Sequence, residues 1–189
     1  MNPVFQNYGK GAFLIANPVL PDPNFSRTVV LLCNHGDEGS FGLVVNRAAD
    51  VSVSEVFSNH EKLLPYGDKV FLGGPVSQAQ VFYLCRSASP LPETEVVCAN
   101  VHLGMNWDAL HEILHVLKKP EENIRFYLGY SGWSAGQLAN EMSQRSWLTC
   151  KASEEFVFCP PESVWERAVR SLGKEFEYLV TAPVNPQWN

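Results

Sequence analysis

The sequence predicts an α+β protein built on a mixed sheet, and three observations carry that prediction. Short apolar runs come in groups with helical stretches inserted between the groups, unlike the strict strand–helix alternation of a doubly wound fold. The runs VVLL and LVV are apolar at consecutive positions, so their strands are buried on both faces and need a covering layer over each. The chain has 189 residues, 46% of them hydrophobic and 18% charged, enough to bury a core without disulfides. It contains no internal repeat, low-complexity tract or dividing linker, so residues 1–189 are expected to form a single domain.

Ala12 to Ala16, Thr28 to Cys33 and Phe41 to Asn46 are rich in Val, Leu, Ile and Phe and read as strands, the last two as a hairpin. NPVLPDPNFS and NHGDEGS, both dense in turn formers, separate them. Ser52 with Glu55 has the spacing of a capping box and opens a short helix to about Ser58. Lys69 to Leu72 and Gln80 to Arg86 return to strand character, parted by Gly73, Gly74 and Pro75. A strand at Glu95 to Ala99 precedes the clearest helix, Trp107 to Lys118, capped by Asn106 with Trp107, Leu110, Leu114 and Leu117 on one face. Lys118, Lys119 and Pro120 end it, as the helix dipole and proline sterics require. Ile124 to Tyr130 reads as strand, Gly136 to Arg145 as helix, Phe156 to Phe158 as strand, and Pro161 to Leu172 as a final helix stopped by Gly173.

Charge narrows the function. Lys and Arg number 14 against 20 Asp and Glu, a net charge of -6 that opposes a phosphate backbone, so direct nucleic-acid binding is not expected. No stretch approaches the roughly 20 apolar residues of a membrane helix, and Asn17-Pro18 stands where a signal peptide would be cleaved. A cytoplasmic protein without membrane contact is expected. Cys33, Cys85, Cys98, Cys150 and Cys159 are widely spaced and odd in number, which suits reduced, mostly buried thiols.

Three motifs resemble catalytic patterns. His111-Glu112-Ile113-Leu114-His115 fits H-E-x-x-H on a helix, in which two histidines one turn apart bind zinc and the glutamate acts as base, with Glu141 downstream as a conceivable third ligand. Both histidines flank the apolar stripe and face outward, so the pattern reads as accidental and no metal is expected. Gly132-Trp133-Ser134-Ala135-Gly136 fits G-x-S-x-G between a strand and a helix, the setting of a nucleophile elbow. Such hydrolases place their histidine after the serine, and none follows Ser134. The alternative is a tight strand-to-helix turn that permits close packing or binds an anion. Cys33-Asn34-His35 places a thiol and an imidazole two apart at a strand end, on one face if the alternation holds. No catalytic residue and no cofactor are assigned.

FLIANPVLPDPNFSRTVVLLCNHGDEGSFGLVVNR, FLGGPV and YLGYSGWSAGQLANEMSQRSWL resemble the AlgH/YqgE family of bacterial proteins, and the likeness runs through nearly the whole chain. It implies a branched mixed sheet curled into a partial barrel with helices outside. It lends no catalytic activity, because the family is uncharacterised and its best-known member is described as a regulator of alginate production. The family pattern usually has glycine or another small residue at Ser134 and lacks His111 and His115. This chain departs from it at Gln80 to Cys85, where the family reads Arg-Gly-Phe-Val-Leu-His, at Cys159, where an aspartate is usual, and in the tail.

The GGP and GYSGWSAGQ turns both end buried strands, with Asn46, Arg47 and Gln137 polar in the same patterns. They are expected to converge on one cleft. Gly73, Gly74, Gly132, Ser134, Gly136 and Gln137 would offer donors to a small anionic group and Trp133 an apolar wall. The alternative is that the glycines serve packing and Trp133 is core. A regulatory or binding protein acting through an unidentified protein or small anionic ligand follows, with an enzyme or anion binder using the glycine turns as the other reading.

Overall fold

The structure is a computed structural model that describes residues 8–18, 20, 22–58 and 69–181; Trp188 and the divergent tail past Thr181 lie outside them. In chain order the elements are β1 (Ala12–Ala16), β2 (Val29–Gly36), β3 (Gly39–Val44), α1 (Val53–Val56), β4 (Val70–Leu72), β5 (Val76–Arg86), β6 (Glu95–Cys98) and β7 (Val101–Gly104). Then come α2 (Trp107–Val116), α3 (Pro120–Asn123), β8 (Ile124–Ser134), α4 (Gln137–Ser143), β9 (Trp147–Lys151), α5 (Glu154–Val157), α6 (Pro161–Ser171) and α7 (Tyr178–Thr181). The strands form one sheet in the order β6-β7-β5-β8-β3-β2-β1-β9, antiparallel along this path, with β4 alongside β8 in parallel. The sheet is therefore mixed and branched, and it curls into a half-barrel flanked by helices.

One face of the sheet contributes residues from every strand to a single core, including Phe13, Leu31, Leu43, Phe71, Leu84, Val97, Leu103, Tyr127 and Leu148, as only the concave side of a curl can. Val164, Trp165, Ala168 and Val169 of α6 fill its open side, and the Trp165 indole donates to the Ala16 carbonyl at 3.0 Å. The convex face has two separate cores. Leu110, Ile113 and Leu114 of α2 pack on Tyr83, Cys85 and Phe126; Leu138 and Met142 of α4 pack on Leu14, Val30, Trp133 and Trp147. This is why VVLL of β2 is apolar at consecutive positions: Val30 and Leu32 face one core, Val29 and Leu31 the other.

The branch sits where the chain crosses itself. β4 lies between β8 and the segment after β3: Gly73 N–H donates to the Leu128 carbonyl and Leu72 N–H to the Arg47 carbonyl, both at 2.8 Å. Beyond Leu72 the chain passes over β8 to pair with its opposite edge as β5. Backbone must lie on backbone there. A Cβ on Gly73 would stand 2.3 Å from the Gly129 oxygen, and one on Gly74 2.2 Å from the Tyr130 carbonyl carbon. Gly129 itself has φ +66°, and the β5–β8 register slips between Val76 and Val81. Before it, Phe126 and Leu128 face α2; after it, Tyr130 faces the concave core.

Several expected elements differ. β7 and β9 add to the expected strands: Asn100 at φ +61° turns β6 into β7, and Arg145 at φ +58° precedes β9, neither with the Gly that marks such turns. Phe156 to Phe158, expected as strand, belongs to the turn of helix α5, with Ser153 at its N-cap and Glu154 and Glu155 in its first turn. α2 stops at Val116, and Pro120 opens the separate turn α3. The capping boundaries held: Ser52 and Glu55 form the reciprocal box, and Asn106 Oδ1 accepts from Asp108 and Ala109 N–H. Among the described residues no helix is long and apolar enough to cross a membrane.

Candidate functional site

A cleft of about 490 Å³ opens at one end of the half-barrel, between the β2–β3 hairpin and the end of β8. Asn34, Glu38, Gly39, Ser40 and Phe41 line one side, and Val76, Tyr130, Gly132 and Trp133 the other. Phe41 and Gly132 face each other across the β3–β8 ladder, and the missing side chain leaves room above the Tyr130 ring. A Cβ on Gly132 would lie 3.1 Å from that ring and 3.9 Å from Val76, with no backbone in its way. Phe41 and Tyr130 meet at 5.3 Å between ring centroids and 63°, with Phe82 behind both. At the rim Ser40 Oγ and His35 Nδ1 are 2.7 Å apart, and the His35 ring lies against Tyr8.

Of the residues singled out from the sequence, Gly132 and Trp133 line this cleft. Ser134 is the last residue of β8, opposite Gly39, and is exposed. Its hydroxyl and its N–H both donate to Gln137 Oε1, at 3.2 and 3.0 Å. It lacks the strained backbone of an elbow serine, since the positive φ in this turn belongs to Gly136. The Gln137 amide in turn donates to Glu141 Oε1 at 3.1 Å, and Glu141 Oε2 accepts from two indoles, Trp133 Nε1 at 2.9 Å and Trp147 Nε1 at 2.8 Å. Trp133, Trp147 and Phe25 form an aromatic cluster beneath α4. The G-x-S-x-G segment thus fastens α4 to the sheet.

Gly73 and Gly74 occupy the crossing over β8, and Val76, which follows them, reaches the cleft. Asn46 is used internally: its Oδ1 accepts from Val29 N–H at 2.8 Å and its Nδ2 donates to the Arg27 carbonyl at 2.9 Å, pinning the chain after β3 to the start of β2. Arg47 donates to the Asn24 carbonyl at 2.6 Å. Neither lines the cleft. Asn34, Glu38, Gly39, Ser40, Phe41, Val76 and Tyr130 were missed; the hairpin loop NHGDEGS was the signal for the first four, and Val76 and Tyr130 follow or belong to the GGP and GYSGWSAGQ turns.

The remaining motifs do not assemble. Cys33 is buried in the concave core with its thiol toward the Leu31 carbonyl, whereas His35 is exposed; a register slip between Leu32 and Asn34 breaks the alternation. Burial pushes the Cys33 and Cys150 thiols up, Cys85 to about 12 and Cys98 to about 11, all away from a reactive thiolate. His115 is exposed and His111 half-buried on α2, and Glu141 is committed to the indoles. Among the described residues no three His, Cys, Asp or Glu side chains converge to hold a metal.

The AlgH-like family model matches residues 13–177. A UPF0301 protein of Cytophaga hutchinsonii is 35% identical over 182 residues, covering 95% of this chain and 98% of that protein. A UPF0301 protein of Magnetococcus marinus is 39% identical over 175 residues, covering 91% and 93%. The solution structure of the AlgH protein from Pseudomonas aeruginosa is similar at a TM-score of 0.71 and 34% identity, covering 94% of this chain and 96% of that one. The crystal structure of a Corynebacterium diphtheriae protein shares the fold at a TM-score of 0.79 and 22% identity, over 92% of each chain. With the branched half-barrel and the GGP and GYSGWSAGQ turns in place, these matches make the chain a member of the AlgH-like (UPF0301) family.

Proposed function

We propose that this protein works by binding, receiving a small ligand or a side chain of a protein partner in the cleft at the mouth of the half-barrel, and that any regulatory role is exerted through that contact. One observation carries the reading: the cleft joins an aromatic corner, Phe41 and Tyr130, to a polar rim of Asn34, Glu38 and Ser40. The serine and thiol motifs that would argue for chemistry have hydrogen-bond partners within the fold. Thermal shifts across a metabolite panel test it, with Gly132→Val as control. The valine fills the cleft from an exposed strand position, where β-branching is favourable. A compound that raises the melting temperature of the wild type and not of the variant is expected. Equal shifts in both would place the binding elsewhere and overturn the proposal.

A further inference from the structure

Resting on that reading, we infer that the cleft selects an organic cation, an alkylammonium or guanidinium group. Its lining holds one carboxylate, Glu38, and no Lys or Arg; Asp37 adjoins Glu38 in the same hairpin, and His35 stands at the rim with its Nδ1 on Ser40 Oγ. An anion would meet no lysine or arginine there. On the hairpin side of the lining Asn34 and Ser40 add side-chain oxygens that accept hydrogen bonds from N–H donors, and Tyr130 adds its phenol opposite. The apolar part is aromatic: Phe41 and Tyr130, which meet edge to face inclined at 63° with centroids 5.3 Å apart, both line the cleft, and a ring face is the negative side of its quadrupole. Gly132 holds that aromatic corner open, because any side chain there would lie against Tyr130. Aromatic faces with a carboxylate at the rim are the chemistry that recognises a cation carrying alkyl groups, one end seated on the rings and the charge neutralised at the edge. The chain's net charge of -6 adds long-range attraction for such a ligand.

Amide NMR titration of the full chain tests this with five probes: choline, its neutral isostere 3,3-dimethylbutan-1-ol, inorganic phosphate, the capped peptide acetyl-Gly-Arg-Gly-amide, and free agmatine. Choline and at least one guanidinium probe are expected to shift Gly39, Tyr130 and Gly132 in a saturable way, while phosphate leaves them unmoved. Tyr130→Leu should weaken choline by about tenfold and Glu38→Gln by about threefold. A response to the peptide and not to agmatine assigns the cation to a partner protein; the reverse assigns it to a free metabolite. Binding of the neutral isostere as tightly as choline, with no effect of Glu38→Gln, overturns the choice of a cation and leaves the binding reading standing. Shifts from phosphate alone overturn it in favour of an anion. Gly132→Val, which blocks the cleft, must abolish the choline shifts; their survival overturns both.

Discussion

Glu141→Ala should destabilise this protein markedly although the residue is only half-buried on a short helix. The carboxylate is the acceptor for two indole N–H groups whose rings are almost wholly enclosed, Trp147 at 1% and Trp133 at 6% exposure. Removing it strands both donors in the core beneath α4. A buried orphan donor costs about 1–3 kcal/mol, and two at neighbouring sites, with partial relaxation of the short helix, give ~2–4 kcal/mol. For a chain of this size that is a fall in melting temperature of roughly 5–15 °C. Glu141→Gln keeps an oxygen for the indoles and loses charge assistance, so about 1 kcal/mol is expected. Urea unfolding followed by far-UV circular dichroism and tryptophan fluorescence reads both. In a double-mutant cycle, Trp147→Phe should cost less in the Glu141→Ala background than in the wild type. Loss of less than about 0.5 kcal/mol for Glu141→Ala, or additivity in the cycle, would refute the reasoning.

Three further outcomes are expected. Gly73→Ala drives a Cβ onto the Gly129 backbone oxygen and should destabilise by more than about 3 kcal/mol, or prevent folding, read as loss of soluble, cooperatively unfolding protein; a variant as stable as the wild type would mean the crossing is not this tight. Burial holds the Cys85 thiol at about 12 against an ordinary 9.0, and Cys33 higher still, so the folded chain keeps protons that the unfolded chain releases. Stability is therefore intact below pH 9 and falls above it by ~1.4 kcal/mol per pH unit for each thiol; Cys85→Ala should flatten that slope, and urea midpoints at pH 8, 9 and 10 that show no flattening would contradict it. Finally, the Tyr127 hydroxyl is buried beside the Arg125 guanidinium but makes no well-formed hydrogen bond among the described residues, because Arg125 donates to the Val157 and Cys159 carbonyls. Tyr127→Phe should be neutral or stabilising by up to about 1 kcal/mol, checked by the same unfolding measurements, and a loss above that figure would reveal a partner for the hydroxyl.

Much of the fold was legible because local chemistry and tertiary packing agree. Ser52 and Glu55, Asn106, and the doubly apolar strand at Val29 to Leu32 each announce their structure within a few residues. Legibility fails where one residue without a signature turns the chain, as Asn100 and Arg145 do at positive φ, and where apolar spacing is shared by strand and helix, as at Phe156 and Phe158. The site was less legible still. Gly132 and Trp133 were named for the motif they stand in, yet the cleft is made by residues distant in sequence, Asn34 to Phe41 against Val76 and Tyr130, which the β3–β8 and β5–β8 pairings bring together. Ser134 and Glu141, which stand in or near catalytic-looking spacings that the sequence does not complete, have polar atoms that hold a helix in place.

The left-handed residue in the middle of β8 has a consequence for which insertions and deletions this protein can survive. A strand that kept strict parity through position 129 would turn Tyr130 outward toward solvent and send Trp133 into the barrel, dismantling the aromatic corner and unroofing the helix behind it. Losing one residue there is therefore an inversion of two surfaces at once, while length changes in the exposed tip at Gly36 to Glu38 leave both untouched.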